Sequence, residues 1–150
     1  MSDQLPEWAQ GLGLSRHPEG GWFVETWRSD LVVPKSALPE SYPGCRAGGT
    51  AIYFLLLPED RSEWHVVRSA EIWLYHRGSP VLLELGGTAD DPGTPTPVVV
   101  GPDVAAGHQP QAVVPPNTWQ RARPLGDDAS LVSCIVVPGF DFEDFRLAGH

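Results

Sequence analysis

The chain has 150 residues, 41% of them hydrophobic, which is enough for one domain that buries its own core without stabilising disulfides. A net charge of −9 argues against nucleic acid as a partner, because an acidic surface repels phosphate groups. No apolar run is long enough to span a bilayer and the N-terminal residues do not resemble a signal peptide, so we expect one cytoplasmic domain over 1–150 with no membrane partner.

The predicted elements begin with a short helix over Asp3–Gly13, followed by the turn-rich segment His17–Gly21 and the strand-like sequence WFVETWRS. The prolines and glycines of Pro34–Gly49 predict a loop without regular structure. Alternation and β-branched residues then predict eight strands: Thr50–Leu57, Glu63–Val67, Glu71–His76, Val81–Gly86, Val98–Gly101, Gln111–Val114, Gln120–Arg123 and Leu131–Pro138. We expect Phe140, Phe142 and Phe145 to pack back onto the sheets from a brief C-terminal turn.

Many short strands at regular spacing predict an all-β fold, an antiparallel sandwich or barrel. The strand TAIYFLLL (Thr50–Leu57) is apolar on both faces, whereas a sheet with one wet face shows alternation. A second copy of the chain is the most economical cover for the outer face, so we expect a homodimer.

A histidine and a glutamate form the first candidate site. Alternation places Glu63, His65 and Val67 on one strand face, and a tight turn then leads to Glu71 on the next strand. A hairpin would bring the Glu71 carboxylate to the His65 ring and raise the pKa of the imidazole. The pair could act as a general base, ligate a metal, or form a structural hydrogen bond that fills the barrel.

These spacings resemble the two motifs of the cupin superfamily, G-x5-H-x-H-x3/4-E-x6-G and G-x5-P-x-G-x2-H-x3-N. In the first motif the two histidine positions fall on His65 and Val67, the acid on Glu71 and the glycine on Gly78. In the second motif the proline falls on Pro115, the glycine on Asn117 and the histidine on Gln120. The chain more closely resembles a small cupin family of unknown function, in the segments HPEGG, Trp64–Trp73, Pro110–Gln120 and Pro138–Phe145. The resemblance implies a cupin double-stranded β-helix, or jelly-roll barrel, with a short N-terminal helix.

A typical cupin metal site uses three imidazoles and one carboxylate. This chain retains His65 and Glu71, but Val67 cannot ligate a metal and Gln120 offers only an amide. We therefore expect no tightly bound metal, while a loosely held divalent ion on His65, Glu71 and Gln120 stays open.

Small-molecule binding in the barrel is the predicted function, with a carbohydrate or related polar metabolite as ligand. The predicted ligand-binding residues are Tyr53, Trp73, Tyr75, Gln120 and Glu25. Glu25 shares the inward face with Phe23, and Arg28, three residues on, is expected on the opposite face.

Two alternatives remain. One is a metal-independent sugar isomerase or epimerase, in which His65 with Glu71 is the base and Tyr53 or Tyr75 the proton donor. The other is a structural dimer whose own side chains fill the pocket. The HPEGG segment either folds His17 and Glu19 over the pocket mouth or only forms a turn, in which both residues lie in solvent or cap the turn.

Overall fold

The computed structural model describes residues 4–149, and its regular structure is almost entirely β-strand. The strands are β1 (Ser15–Arg16), β2 (Trp22–Arg28), β3 (Val32–Val33), β4 (Arg46–Ala47), β5 (Thr50–Leu56), β6 (Ser62–Val67), β7 (Ala70–Gly78), β8 (Val81–Leu85), β9 (Thr96–Val100), β10 (Gln111–Val114), β11 (Gln120–Pro124), β12 (Ser130–Val137) and β13 (Phe145–Leu147). Four single-turn or short 3-10 helices span Glu7–Leu12, Lys35–Ala37, Val104–Ala106 and Phe142–Asp144. The predicted all-β class is confirmed.

Two antiparallel sheets enclose the core. One has the strand order β1-β2-β5-β12-β7-β10 and the other β13-β6-β11-β8-β9. The inward residues of both sheets form the main cluster, which is built around Phe54, Trp73, Leu83 and Val132. Within residues 4–149, no helix is long and apolar enough to cross a membrane.

The N-terminal helix is shorter than predicted and covers part of the outer sheet face. It is a 3-10 helix over Glu7–Leu12 that ends at Gly13, whose positive φ of 78° suits glycine. Its Ala9 is fully buried in a second cluster with Leu55 and Leu57. The apolar outer face of β5 is therefore partly covered by the chain itself. Asp3, the first residue of the predicted helix, lies outside the described residues.

The predicted hairpin between His65 and Glu71 is wrong. Strand β6 belongs to the five-stranded sheet and β7 to the six-stranded sheet, so the chain crosses between the sheets after Val67. His65 pairs with Gln120 of β11, while Glu71 pairs with Val114 and Val136. The two predicted catalytic residues therefore project into the core from opposite sheets.

Two smaller expectations are also corrected. The segment 34–49 contains a short 3-10 helix and strand β4, which pairs with β3, so it is not without regular structure. In β2 the register shifts between Glu25 and Trp27, which brings Arg28 to the same face as Glu25. Arg28 Nε lies 2.7 Å from Glu25 Oε1, so these side chains form an ion pair instead of pointing apart.

The glycine of the first cupin-like motif has a steric cause. Gly78 has a φ of +87°, and a Cβ at this position would lie 1.7 Å from the carbonyl oxygen of Ala129. Only glycine fits this close approach between β7 and the turn before β12.

A buried ion pair fixes the C-terminal segment. Asp144 accepts hydrogen bonds from Arg46 Nε and Nη2, both at 2.8 Å, and from Arg68 Nε at 2.9 Å. The Arg46 and Asp144 side chains are only 4% and 1% exposed, so loss of one partner leaves a buried charge without its counter-charge.

We predict that Asp144→Asn lowers the free energy of unfolding by about 3–5 kcal/mol, because it leaves the buried Arg46 guanidinium without a counter-charge. Urea unfolding followed by tryptophan fluorescence measures this change. Asp141→Asn is the matched control, since Asp141 is partly exposed and lies 4.0 Å from Arg46 Nη1. An equal effect of the two substitutions would contradict the assigned role of Asp144.

Candidate functional site

A cluster of buried polar side chains lies between the two sheets. His65 comes from β6, Glu71 from β7 and Gln120 from β11, and all three are nearly inaccessible to solvent. The structure also brings in His17 and Glu19 from the turn between β1 and β2. Three predicted site residues therefore do meet, together with two residues whose position the sequence left open.

Gln120 is held in one orientation by its neighbours. Trp73 Nε1–H donates to Gln120 Oε1 at 2.9 Å, which leaves the amide nitrogen to donate to Glu71 Oε1 at 2.8 Å. Trp73 and Gln120 are 1% and 0% exposed. Trp73 thus acts in the core as the donor that orients Gln120, not as a wall of the pocket.

The His65 ring is engaged at both nitrogens. Its Nδ1–H donates to the backbone oxygen of Glu63 at 2.7 Å, so in the neutral ring Nε2 carries the lone pair. Nε2 lies 3.5 Å from Glu19 Oε1. The carboxyl group nearest to the His65 ring nitrogen is therefore that of Glu19, and not that of Glu71 as predicted.

The predicted rise in the His65 pKa is also wrong. Burial lowers the pKa of His65, and this effect outweighs the nearby Glu71, which raises it. The ring is 1% exposed. His65 is consequently a neutral, enclosed imidazole.

The HPEGG segment is a tight turn that directs its side chains inward. Gly20 has a φ of +107°, and a Cβ there would lie 1.9 Å from the carbonyl oxygen of Arg61. The Glu63 N–H donates to the Glu19 carbonyl at 2.8 Å, which docks the turn onto β6. His17 and Glu19 are 9% and 8% exposed, so the prediction that they lie in solvent is wrong. His17 does cap the turn, because its Nδ1 accepts the Glu19 backbone N–H at 3.1 Å.

Glu19 is the centre of the cluster. Its Oε1 lies 3.4 Å from His17 Nδ1 and 3.5 Å from His65 Nε2, and Ser62 Oγ donates to its Oε2. His17 Nδ1 accepts the Glu19 backbone N–H at 3.1 Å, so both facing ring nitrogens carry lone pairs. A carboxyl proton on Glu19 can donate to one of these two nitrogens, whereas a carboxylate would face two acceptors with no proton between them.

The pKa values of the cluster follow from burial. Burial raises the pKa of Glu19 to about 8, opposed in part by the hydrogen bond from Ser62. Burial, followed by the charge of Glu19, raises the pKa of Glu71 to about 7. Burial, followed by the charge of His65, lowers the pKa of His17 to about 4. Near neutral pH the imidazoles are uncharged, Glu19 is largely protonated and Glu71 is poised to exchange a proton.

A cavity of about 30 Å³ lies against this cluster. It is lined by His17, Glu19, Phe23, Thr50, Ile52, Val67, Glu71, Cys134, Val136 and Phe140. A surface groove of about 350 Å³ adjoins it and is lined by Phe23, Glu25, Arg28, Thr50, Ile52, Phe140, Asp141 and Phe142. Four residues line both spaces, so the groove and the cavity adjoin.

The predicted aromatic residues lie elsewhere. Tyr53 faces the outer cluster with Leu55, on the opposite side of the sheet from Glu71. Tyr75 packs its ring against the main core, and its hydroxyl donates to the Gly78 carbonyl at 2.7 Å. The aromatic wall of the groove is formed instead by Phe23, Phe140 and Phe142. Among the predicted ligand-binding residues, Glu25 is the one that lines the groove.

The donor set does not fit a divalent ion on His65, Glu71 and Gln120. The Gln120 amide oxygen is occupied by Trp73, and the amide group facing Glu71 is a donor. Within residues 4–149, no three His, Cys, Asp or Glu side chains are arranged to hold a metal ion. The expectation that no metal binds tightly stays a prediction.

Comparisons with known proteins place the chain in a family. Residues 6–148 match the family described as Cupin superfamily (DUF985). The chain belongs to this family. It is 32% identical over 143 residues to the uncharacterized protein YML079W of Saccharomyces cerevisiae, covering 87% of this chain and 68% of the yeast protein. The family assignment confirms the resemblance drawn from the sequence and the cupin barrel that it implied.

Solved structures of similar proteins agree with this family assignment. A hypothetical protein from Leishmania major superposes with a TM-score of 0.81 at 35% identity, over 93% of this chain and 84% of that one. Protein SO0799 from Shewanella oneidensis gives a TM-score of 0.79 at 33% identity, over 93% and 81%. Bacillus subtilis oxalate decarboxylase, at 16% identity with a TM-score of 0.56 over 88% of this chain and 29% of the enzyme, shares the fold alone. The chain is thus similar to uncharacterized and hypothetical proteins, and it shares only its fold with the decarboxylase.

The raised carboxyl pKa values predict that the folded protein loses stability above neutral pH. A carboxyl whose folded pKa exceeds its ordinary 4.5 contributes stability that is lost as the pH rises through the folded value, here about 8 for Glu19. Between about pH 6.5 and 9 we expect a loss of about 2 kcal/mol in the free energy of unfolding. At pH 6.5 an unfolded histidine is still about half protonated, so His17 and His65 together gain about 0.8 kcal/mol of stability over this range. This gain offsets a similar loss from Glu71, whose folded pKa is about 7, and leaves the loss of about 2 kcal/mol that Glu19 causes.

Urea unfolding at the two pH values measures this loss. Glu19→Gln keeps a neutral donor and acceptor, so it is expected to flatten the decline, whereas Glu59→Gln at an exposed position is expected to leave it unchanged. An undiminished decline in Glu19→Gln would show that Glu19 is not protonated in the folded protein.

Proposed function

We propose that the protein binds a small polar metabolite, such as a carbohydrate, with its body in the groove and one polar group in the inner cavity. The observation that carries this proposal is the groove of about 350 Å³ leading to a cavity lined by Glu19, Glu71 and His17. Ligand sites are commonly concave spaces of about 300–1,000 Å³ with apolar walls and a few convergent polar groups.

The groove offers flat apolar surface and a polar rim. Phe23, Phe140 and Phe142 present aromatic rings on which a sugar or another small ring can pack. The Glu25–Arg28 ion pair and Arg28 Nη2, which donates to the Phe140 carbonyl at 3.1 Å, lie at the same opening. Hydroxyl groups of a ligand would find both donors and acceptors there.

Metal-independent isomerisation or epimerisation is the second candidate, and the position of Glu71 favours it. Glu71 lines the cavity and has a pKa of about 7, close to the value that suits proton transfer at neutral pH. Both ring nitrogens of His65 are engaged, so in this proposal Glu71 is the base that removes a proton beside a carbonyl group. Tyr53 and Tyr75 do not line the cavity and are not its proton donors.

A retained ligand is the direct test of binding. Native mass spectrometry of the purified protein, followed by denaturing extraction and identification of small molecules, is expected to show a stoichiometric polar metabolite. Ile52→Phe adds bulk where groove and cavity adjoin and is expected to abolish retention. Val24→Phe adds bulk on the opposite sheet face and is the control.

Equal retention by wild type and Ile52→Phe would show that the molecule binds elsewhere. A protein free of any small molecule, which also binds none from a metabolite library, would favour the structural alternative with a self-filled pocket.

We also propose that a second copy of the chain covers the remaining outer face of the six-stranded sheet. Cross-strand pairing aligns an apolar row across this face: Val113, Ile72, Ile135, Ala51 and Trp27. The end residues Val113 and Trp27 are 57% and 53% exposed. Exposed apolar residues that form a continuous row are typical of protein interfaces.

Absence of nucleic-acid partners and a cytoplasmic location stay predictions from charge and hydropathy.

The dimer proposal is tested by charge substitution within the row. Trp27→Glu is expected to convert a dimer to a monomer in analytical ultracentrifugation, because a carboxylate would be desolvated in the interface. Val104→Glu, on an exposed 3-10 turn, is the control and is expected to remain dimeric. A monomeric wild type, or a dimeric Trp27→Glu, would contradict this interface.

A further inference from the structure

The protonation of the His17 ring is fixed by its backbone contact. Nδ1 accepts the Glu19 backbone N–H at 3.1 Å, and a ring nitrogen that accepts a hydrogen bond carries no hydrogen. Burial lowers the pKa of His17 to about 4, so the ring is neutral at physiological pH. Its single hydrogen therefore lies on Nε2.

This Nε2–H has no protein acceptor. The His17 side chain is 5% exposed, yet none of the hydrogen bonds among residues 4–149 involves Nε2. Its ring neighbours are Phe23, Phe54, Phe142 and Phe145, which offer no oxygen or nitrogen atom. Among residues 4–149 this nitrogen is not one of the fully buried atoms without a partner, so it keeps a small accessible surface. Because His17 lines the cavity, its free donor is available there to water or to an acceptor on a bound molecule.

The lining of the cavity restricts the charge of that molecule. Glu19 and Glu71 line it, and no lysine or arginine does. A carboxylate or phosphate group would lie against two carboxyls without a counter-charge. An ammonium group would meet the His17 N–H without offering it an acceptor. A hydroxyl or carbonyl oxygen accepts from His17 and brings no charge.

The size of the cavity also favours a single hydroxyl or carbonyl oxygen. A cavity of about 30 Å³ has room for one oxygen-sized group and not for a ring. The ring or chain that carries the group must then stay in the adjoining groove.

We propose that His17 is a ligand-binding residue whose Nε2–H donates to an uncharged oxygen, a hydroxyl or carbonyl, that the ligand inserts into the inner cavity. This inference rests on the proposed binding function, and it adds the chemical class of the inserted group and the residue that recognises it. Recognition through a positioned donor also explains why His17 is buried among four phenylalanine rings.

Four probes that share a phenyl ring and differ in the attached group test the inference. They are benzyl alcohol, toluene, benzylammonium and benzoate, titrated into the ¹⁵N-labelled protein at pH 7.5 with dissociation constants from amide shifts. Benzyl alcohol is expected to bind about tenfold more tightly than toluene, the effect of one buried hydrogen bond. Both charged probes are expected to bind more weakly than the alcohol. Tighter binding of benzylammonium or benzoate would overturn the inference.

Substitution of His17 shows whether it supplies the preference. His17→Phe removes the donor and is expected to equalise benzyl alcohol and toluene, while His17→Gln keeps an N–H donor and is expected to retain part of the preference. Long-range ¹H–¹⁵N spectra of the wild type give a second readout that does not depend on a variant folding. They are expected to show hydrogen on Nε2, with a resonance that shifts on addition of benzyl alcohol but not toluene.

The outcomes separate this inference from the proposed function. Equal binding of alcohol and toluene, or an unchanged alcohol preference in His17→Phe, overturns the role of His17 and leaves binding in the groove intact. Binding of none of the four probes overturns the inference, and the retained-ligand experiment then decides the proposed function independently.

Discussion

The carboxyl group of Glu19 is the contact on which the site depends. It lies within 3.5 Å of two imidazole nitrogens and accepts the Ser62 hydroxyl, so it joins the HPEGG turn to β6. Because both nitrogens are acceptors, the carboxyl fills the space between them only as a neutral acid. The backbone contacts that fix the tautomers of both histidines therefore also favour the protonated form of Glu19, and with it an uncharged contact between the turn and β6.

Much of the fold follows from the sequence because period-two alternation and turn residues determine it. The predicted strands around Thr50, Val81, Gln111 and Leu131 all form, and Gly78 occupies a site that no side chain would fit. The pairing of strands was not predictable from local pattern. Local pattern predicts a hairpin turn before Glu71, but the chain there crosses from one sheet to the other. Alternation gives the face of a residue, and only tertiary packing gives the partner of its strand.

The site was predictable in part for the same reason. His65, Glu71 and Gln120 occupy positions that the cupin motif assigns to the barrel interior, and they meet there. His17 and Glu19 lie more than forty residues from His65, and what buries them is a glycine conformation. The two consecutive positive-φ glycines Gly20 and Gly21 were the available signal, since such a pair marks a turn that approaches other backbone closely. Aromatic residues misled the prediction because Tyr53 faces outward.

The orientation of Gln120 has a consequence for how this barrel can change. A histidine introduced here would lie beside the Trp73 indole N–H that now donates to the amide oxygen, and this donor would compete with a metal for the lone pair of the new ring. Val67 would need replacement as well, and Glu19 would still compete for His65. Several mutually dependent positions therefore distinguish this core from a typical cupin metal site of three imidazoles and one carboxylate. The hydrogen-bond network of the site therefore prevents any single substitution from converting it into a metal site.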